Sequence, residues 1–319
     1  MRAMLAKTPL IVRLPNWVGD VIMTLPSLQA LHNAGFDLQL FGQKWIVDLL
    51  HNFPAKLFQV PNSLFAARTA ISNNPARNAL LFTNNVSSAL IARLSGKQPI
   101  GYMNTIRSCL LTNKIKKPSY LHEVEYFWKI AQLATSTWLP DATWPHSIPN
   151  TINLPIDIVC ELKIVEKLKQ EAIATPFIVL CPSAVGTAKN GIPKIWPYWS
   201  NLSETLHQQG IVHVVCPGPF EQERCRQLTP KAQFITGLNL SELAALFGQT
   251  DFVLANDSGP MHLAAAVGAP VLGIFGATDP KRTFPWGGHY IGEFGKWPSI
   301  NEVLKHMDND GAKNSIKSI

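Results

Sequence analysis

The sequence predicts an α/β protein of two doubly wound domains, each a parallel sheet covered by helices on both faces. Three observations lead there. Short apolar runs alternate with stretches of helical periodicity along most of the chain. A proline-rich stretch around residues 138–155 breaks that alternation once. At 319 residues, the chain exceeds one typical core and suits two domains of ordinary size. The division is placed at residues 1–150 and 151–319.

In the first half, residues 10–14 read as a buried strand and 21–33 as a helix with apolar residues at helical spacing. A strand over 38–41, a helix over 45–51, a strand over 79–82 and a helix over 87–94 follow. Pro140, Pro145, Pro149 and Pro155 then fall in an aperiodic, polar stretch that reads as a linker. Beyond it come a strand over 177–181, a helix over 199–209, a strand over 211–216 and a helix over 241–247. A strand over 252–255, a helix over 261–267 and a strand over 271–275 close the series. A short amphipathic helix is expected after residue 300. In open sheets of this kind ligands sit beyond the carboxyl ends of the strands, so each half would offer its loops to a cleft.

Composition narrows the function. Hydrophobic residues make up 46% and charged residues 15%, which describes a folded soluble chain. The net charge of +7 suits an anionic partner. The basic residues read as scattered, and the run Lys114–Lys117 reads as a solvated loop, so no nucleic-acid partner is expected. Five cysteines without metal-ligand spacing fit reduced, mostly buried thiols in the cytoplasm. The apolar run over 263–277 is broken by glycines and Pro270 and is too short to span a bilayer.

Two turns carry the chemistry. At 252–262 an apolar strand runs through Asn256, Asp257, Ser258 and Gly259 into a helix, and a helix N-terminus there would seat a phosphate or diphosphate. The alternative is an ordinary capped turn with Asp257 or Ser258 as N-cap. At 15–20, Pro-Asn-Trp-Val-Gly-Asp leads from the first strand into a helix. Gly19 permits a tight turn or close backbone approach, and Asp20, at the first helical turn, reads either as an N-cap or as a carboxylate that takes a proton from a sugar hydroxyl. Three further loops follow strands: 182–194, ahead of Lys194-Ile195-Trp196-Pro197, then 217–221 and 276–280. No GxGxxG, Walker A or GxSxG pattern is present. His262 reads as a packed or locally bonded side chain that also lies within reach of a phosphate. Asp308-Asn309-Asp310 in the tail looks like a carboxylate pair for a metal.

Residues 256–266 together with 15–20 closely resemble the ADP-heptose–lipopolysaccharide heptosyltransferases, glycosyltransferase family 9, with the heptosyltransferase II branch the nearer match. Lys194–Pro197 resembles that family's K-x-W-P element, and 83–89 and 101–113 resemble its acceptor-side segments. The resemblance implies a GT-B fold of two Rossmann-like domains, the first taking the acceptor and the second ADP-heptose. It implies Asp20 as catalytic base. Lys194, Asp257, Ser258, Gly259 and His262 match the donor site, with Glu221 or Glu223 near the ribose. The acceptor side takes in Arg13, Asn16, Trp17, Asn84 and Arg107. An inverting transfer without a cofactor is implied; magnesium stays open, with no D-x-D pair in the core. The expected partners are ADP-heptose and the lipopolysaccharide inner core, reached by a cytoplasmic protein in peripheral contact with the inner membrane. Residues 188–193 look like an insertion, so Lys189 competes with Lys194 for the phosphate. The carboxyl end is short, which leaves open whether it returns to the first domain. Two rival readings are a nucleotide-sugar epimerase of the same shape and a non-catalytic basic binding module.

Overall fold

The computed structural model describes residues 7–184 and 191–309. The chain divides into two compact units, Met1–Pro149 and Asn150–Ile319. In the first, β1 (Thr8–Arg13) leads into α1 (Val18–Asn33), β2 (Phe36–Gly42), α2 (Ile46–Leu50), β3 (Lys56–Gln59) and α3 (Leu64–Ser72). The chain then returns beside β1 as β4 (Asn78–Leu81), α4 (Val86–Leu94), β5 (Gln98–Met103), β6 (Asn113–Lys116) and α5 (Glu123–Trp138). The strands are ordered β3-β2-β1-β4-β5-β6, and every pairing between them is parallel.

Parallel pairing demands helical crossovers, and these cover both faces. Ile71 of α3 and Ala89 and Ala92 of α4 pack on Ile11, Phe41, Ala79 and Leu81 of the sheet. On the other face α1 packs against α5, and α5 leans on β4 and β5. A capping box between His122 and Glu125 starts α5.

The second unit repeats the plan. It opens with α6 (Ile158–Gln170), β7 (Ile178–Cys181), α7 (Trp199–Gln208), β8 (His213–Val215), α8 (Gln222–Leu228) and β9 (Gln233–Phe234). It returns to the centre with α9 (Leu240–Gln249), β10 (Phe252–Asn256), α10 (Gly259–Ala266), β11 (Val271–Ile274), α11 (Pro280–Thr283), β12 (His289–Ile291) and α12 (Ile300–Asn309). The order β12-β11-β10-β7-β8-β9, again parallel, is the first sheet's order read from the other end. Val303 and Met307 of α12 are buried in this unit's own core beside Trp196 and Trp199.

In each sheet the winding direction reverses at the centre, between β1 and β4 and between β10 and β7. Such a switch point leaves a crevice beyond the carboxyl ends of its two strands. Both sequence-selected turns lie there, after β1 and after β10.

The structure adds strands β3, β5, β6, β9 and β12 and helices α3, α5, α6, α8 and α11 to those read from periodicity. It also makes three corrections. Lys114 and Lys116 belong to the edge strand β6 rather than a loop. Gly19 and Asp20 lie inside α1, so Gly19 is a helical residue and not a turn glycine. Cys225 is buried, Cys160, Cys181 and Cys216 are part-buried and Cys109 is exposed, so the expectation of mostly buried thiols does not extend to Cys109. Burial pushes the Cys225 thiol up to about 11 and those of Cys181 and Cys216 well above their ordinary value. Among the described residues no helix is long and apolar enough to cross a membrane.

Candidate active site

The second unit's switch point is organised by Asn256, the last residue of β10, which is fully buried. Its Oδ1 accepts the backbone N–H of Trp196 at 3.0 Å and the indole N–H of Trp199 at 3.1 Å. Its Nδ2 donates to the carbonyl of Pro182, just beyond β7, at 2.6 Å. One amide thus ties the ends of β7 and β10 to the Lys194–Trp199 segment, and none of its polar atoms is left unsatisfied in a dry interior.

Asp257 follows, 7% exposed at its side chain, and its Oδ2 meets Lys194 Nζ at 2.8 Å. The Thr278 hydroxyl, beyond β11, donates to the same oxygen at 2.8 Å. Ser258 is the extended N-cap of α10, but its side chain makes no capping bond, and its Oγ is buried without a partner. Ser258 rather than Asp257 is therefore the cap residue, and the turn is not an ordinary side-chain cap. Pro260 has no N–H, so α10 presents those of Gly259 and Met261 in its first turn, where helical N–H groups lack intrahelical partners. A half-buried lysine held against this turn by Asp257 thus stands beside the positive end of α10, a combination that favours anions.

Glu221 lies beyond β8 on the same edge. Ser183 donates to its Oε1 at 2.6 Å and the Gly218 N–H to its Oε2 at 3.0 Å. A Cβ at Gly218 would stand 2.6 Å from that oxygen, so the clamp requires glycine. Inside the clamped turn Phe220 is fully exposed at φ +66°, a strained setting for a side-chain-bearing residue. Glu223, by contrast, accepts Gln227 Nε2 along the surface of α8 at 3.2 Å, which leaves Glu221 as the carboxylate at the edge. His262 is the fourth residue of α10 and is buried. Lys189 and Asp310 lie outside the described residues.

In the first unit, Asp20 is the third residue of α1 and Trp17, with no side-chain capping bond, is its N-cap. The N-cap alternative for Asp20 is thereby corrected. Its half-buried carboxylate sits in the first turn, where the helix dipole favours the charged form. Asn16 and Trp17 are exposed, and Asn16 Oδ1 accepts Arg13 NH2 at 2.8 Å and Gln43 Nε2 at 3.4 Å. Arg13 also donates to the carbonyls of Leu14 and Phe41, and burial lowers its pKa.

Arg107 is a larger correction. Placed by the resemblance on the acceptor side, it is instead fully buried. Its guanidinium donates to the carbonyls of Tyr102 at 2.6 Å and Thr83 at 2.7 Å, and reaches Asn84 Oδ1 at 3.4 Å. Burial pushes it down to about 10, partly opposed by Tyr126. Gly101 makes room for it: a Cβ there would come within 2.7 Å of its NH2. Arg107 is a strut for the 83–84 turn, and the Asn84 it supports, also bonded by the Tyr126 hydroxyl at 2.8 Å, is the exposed side chain of that turn. Asn256, Thr278, Ser183 and Tyr126 carry no role in the sequence reading, although Asn256 stands in the 256–266 motif and Ser183 and Thr278 in loops it singles out.

Among the described residues no group of three or more His, Cys, Asp or Glu side chains is placed to hold a metal ion. A family model described as Glycosyltransferase family 9 (heptosyltransferase) matches residues 65–295, most of the chain. The chain belongs to that family. Lipooligosaccharide heptosyltransferase 2 of Haemophilus influenzae is 27% identical over 298 residues, covering 85% of this chain and 84% of its own. Lipopolysaccharide heptosyltransferase 3 of Escherichia coli K12 is 31% identical over 322 residues, covering 89% and 88%. The structure of E. coli ADP-heptose lps heptosyltransferase II superimposes with a TM-score of 0.75 at 20% identity, covering 96% of this chain and 99% of that one. The fold is therefore GT-B, and family 9 membership favours glycosyl transfer over the epimerase and binding-module readings.

Proposed function

We propose that this family 9 glycosyltransferase moves a heptose from ADP-heptose to the inner core of lipopolysaccharide, with inversion at the anomeric carbon. The observation that carries the reading is the Lys194–Asp257–Thr278 cluster at the N-terminus of α10, on the switch point of its sheet. Asp20 takes the proton of an acceptor hydroxyl as that oxygen attacks the anomeric carbon. The bond from that carbon to the diphosphate oxygen breaks, and ADP leaves with the bonding pair. Lys194 and the N–H groups at Ser258 and Gly259 meet the charge that develops on it. Glu221 is the partner for ribose hydroxyls. A diphosphate is a good leaving group without a proton, so the scheme assigns no general acid and no metal. The acceptor lies along the first unit's edge, at Asn16, Trp17 and Asn84, with Arg13 and Arg107 behind them. The protein works at the cytoplasmic face of the inner membrane, in peripheral contact with it.

The test is product analysis by mass spectrometry. Purified protein, ADP-heptose and truncated lipopolysaccharide cores should yield one added heptosyl residue per ADP released, with activity retained in EDTA. Conversion of the sugar with donor alone, or ADP binding without any transfer, would overturn the proposal.

A further inference from the structure

Between Asp48 and Glu123 the chain carries nine Lys and Arg residues and not one Asp or Glu. The remainder, with nineteen basic and twenty-one acidic residues, is weakly acidic, so the whole positive balance resides in this segment. It folds as β3 to β6 with α3 and α4, and seven of the nine are exposed: Lys56, Arg68, Arg77, Arg93, Lys114, Lys116 and Lys117.

The outer face of α3 and α4 is also apolar. Leu64 and Phe65 are 61% and 77% exposed, Leu94 56%, and Leu90 is exposed too. They interleave with Arg68 and Arg93 at helical spacing, and the two helices form one surface. Arg68 Nε donates to the carbonyl of Leu94 at 3.3 Å, and Ser95 Oγ to the carbonyl of Arg68 at 3.1 Å. Beneath them the small side chains Ala67, Ala89 and Ala92 are buried, with Ile71 the one large residue of α3 turned into the core. These helices thus bury their small residues and expose large ones, the reverse of an ordinary amphipathic surface helix. Ile106, 68% exposed, extends the patch along the 3-10 turn Arg107–Cys109 beside α4.

We propose that this face docks on an anionic phospholipid bilayer. Aliphatic and aromatic side chains enter the headgroup–acyl boundary, while arginines among them meet lipid phosphates. A nucleic acid would satisfy the arginines but leave three leucines with nothing apolar to bury against. Leu64 and Phe65 open α3 just beyond β3, so the docked face adjoins the sheet edge that carries Asn84 and Asp20. The inference rests on the proposed lipid-linked acceptor and adds the surface that brings the enzyme to it.

The experiment is flotation of the full chain with vesicles of phosphatidylethanolamine and phosphatidylglycerol, against phosphatidylcholine alone. Binding is expected to the anionic vesicles only and to weaken as salt rises. The double variant Phe65→Ser/Leu94→Ser should bind at least about ten-fold more weakly. Arg68→Gln/Arg93→Gln should lose roughly five-fold per arginine and show a shallower salt dependence. Both should keep the wild-type Tm, ADP affinity and transfer to a delipidated, water-soluble acceptor. Equal binding to phosphatidylcholine, undiminished binding by both variants, or a dimer that the serine variant dissociates would overturn the docking. So would single-stranded DNA binding that the serine variant leaves intact. If vesicles are ignored but transfer to the soluble acceptor proceeds, the docking falls and the enzyme assignment stands. If soluble transfer is absent as well, the assignment itself falls.

Discussion

The two switch points share a topology but are finished differently. In the second unit three polar side chains of this edge are bonded to other strand ends: Asn256 to Pro182 and the Trp196–Trp199 segment, Asp257 to Lys194 and Thr278, Glu221 to Ser183. In the first unit Asn16, Trp17 and Asn84 stand exposed, steadied from behind by Arg13 and Arg107. The contrast suits a small ligand of fixed shape on one sheet and a large, variable one on the other. Preorganisation is worth most where charge develops in a confined space.

The sharpest way to break that contrast is at Asp20, on the open edge. Asp20→Asn keeps the shape of the side chain and removes the base, so turnover should fall by roughly 10²–10⁴. ADP affinity by calorimetry and Tm should stay at wild-type values. Retained turnover would remove Asp20 from the chemistry. On the bonded edge Lys194→Ala should cost roughly 10²–10³ in kcat, with a raised KM for the donor. Loss of kcat without any change in KM would mean that the lysine meets the diphosphate only in the transition state.

The next test concerns architecture. Asn256→Ala strips partners from the Trp196 N–H, the Trp199 indole and the Pro182 carbonyl, all in a buried site. About 3 kcal/mol of stability should be lost, a fall in Tm of roughly 6–12 °C. The equivalent change on the open edge, Asn16→Ala, should move Tm by far less, because water replaces its partners. Equal losses at both positions would erase the distinction between the two edges.

The same distinction explains what was legible in the sequence. Central strands such as β10 and β11 are buried along their whole length and read as continuous apolar runs. Edge strands β6 and β12, Asn-Lys-Ile-Lys and His-Tyr-Ile, are half solvated and leave almost no apolar signal. In β5, Pro99 and Gly101 mimic a turn, and that glycine exists because Arg107 lies against it. The turn after β10 was readable because helix N-termini have local chemistry. The tying role of Asn256 was not, since its three partners lie 57 to 74 residues away. Arg107 sits in a polar stretch that reads as surface, and only tertiary packing shows where its guanidinium goes. The acid-free segment was fully visible, but its signal is an absence spread over many residues rather than a dense basic run.

The smallest expected effect is one of pH, and it separates the units by their histidines. His213 opens β8 and is buried, with Nδ1 at 3.0 Å from the Ile211 carbonyl and Nε2 at 2.9 Å from Ser203 Oγ. In the neutral ring the Nδ1–H donates to the Ile211 carbonyl and Nε2 accepts the Ser203 hydroxyl, whose oxygen also accepts the Lys231 N–H at 3.2 Å. Burial is the main cause that lowers the His213 pKa, and the Ile211 carbonyl only partly opposes it. With a folded pKa below 6.5, the unfolded chain takes up a proton that the folded chain refuses. Stability is therefore full above about pH 6.5 and is lost as pH falls below it, by at most about 1.4 kcal/mol per pH unit. His32 in the first unit is lowered in the same direction but is only half-buried, so its share is smaller. Hydrogen exchange at pH 5 should then open β7 and β8 before β1 and β2, and His213→Gln should flatten the fall of the second unit's stability between pH 7 and 5. If the variant keeps the wild-type slope, His213 is not the group responsible.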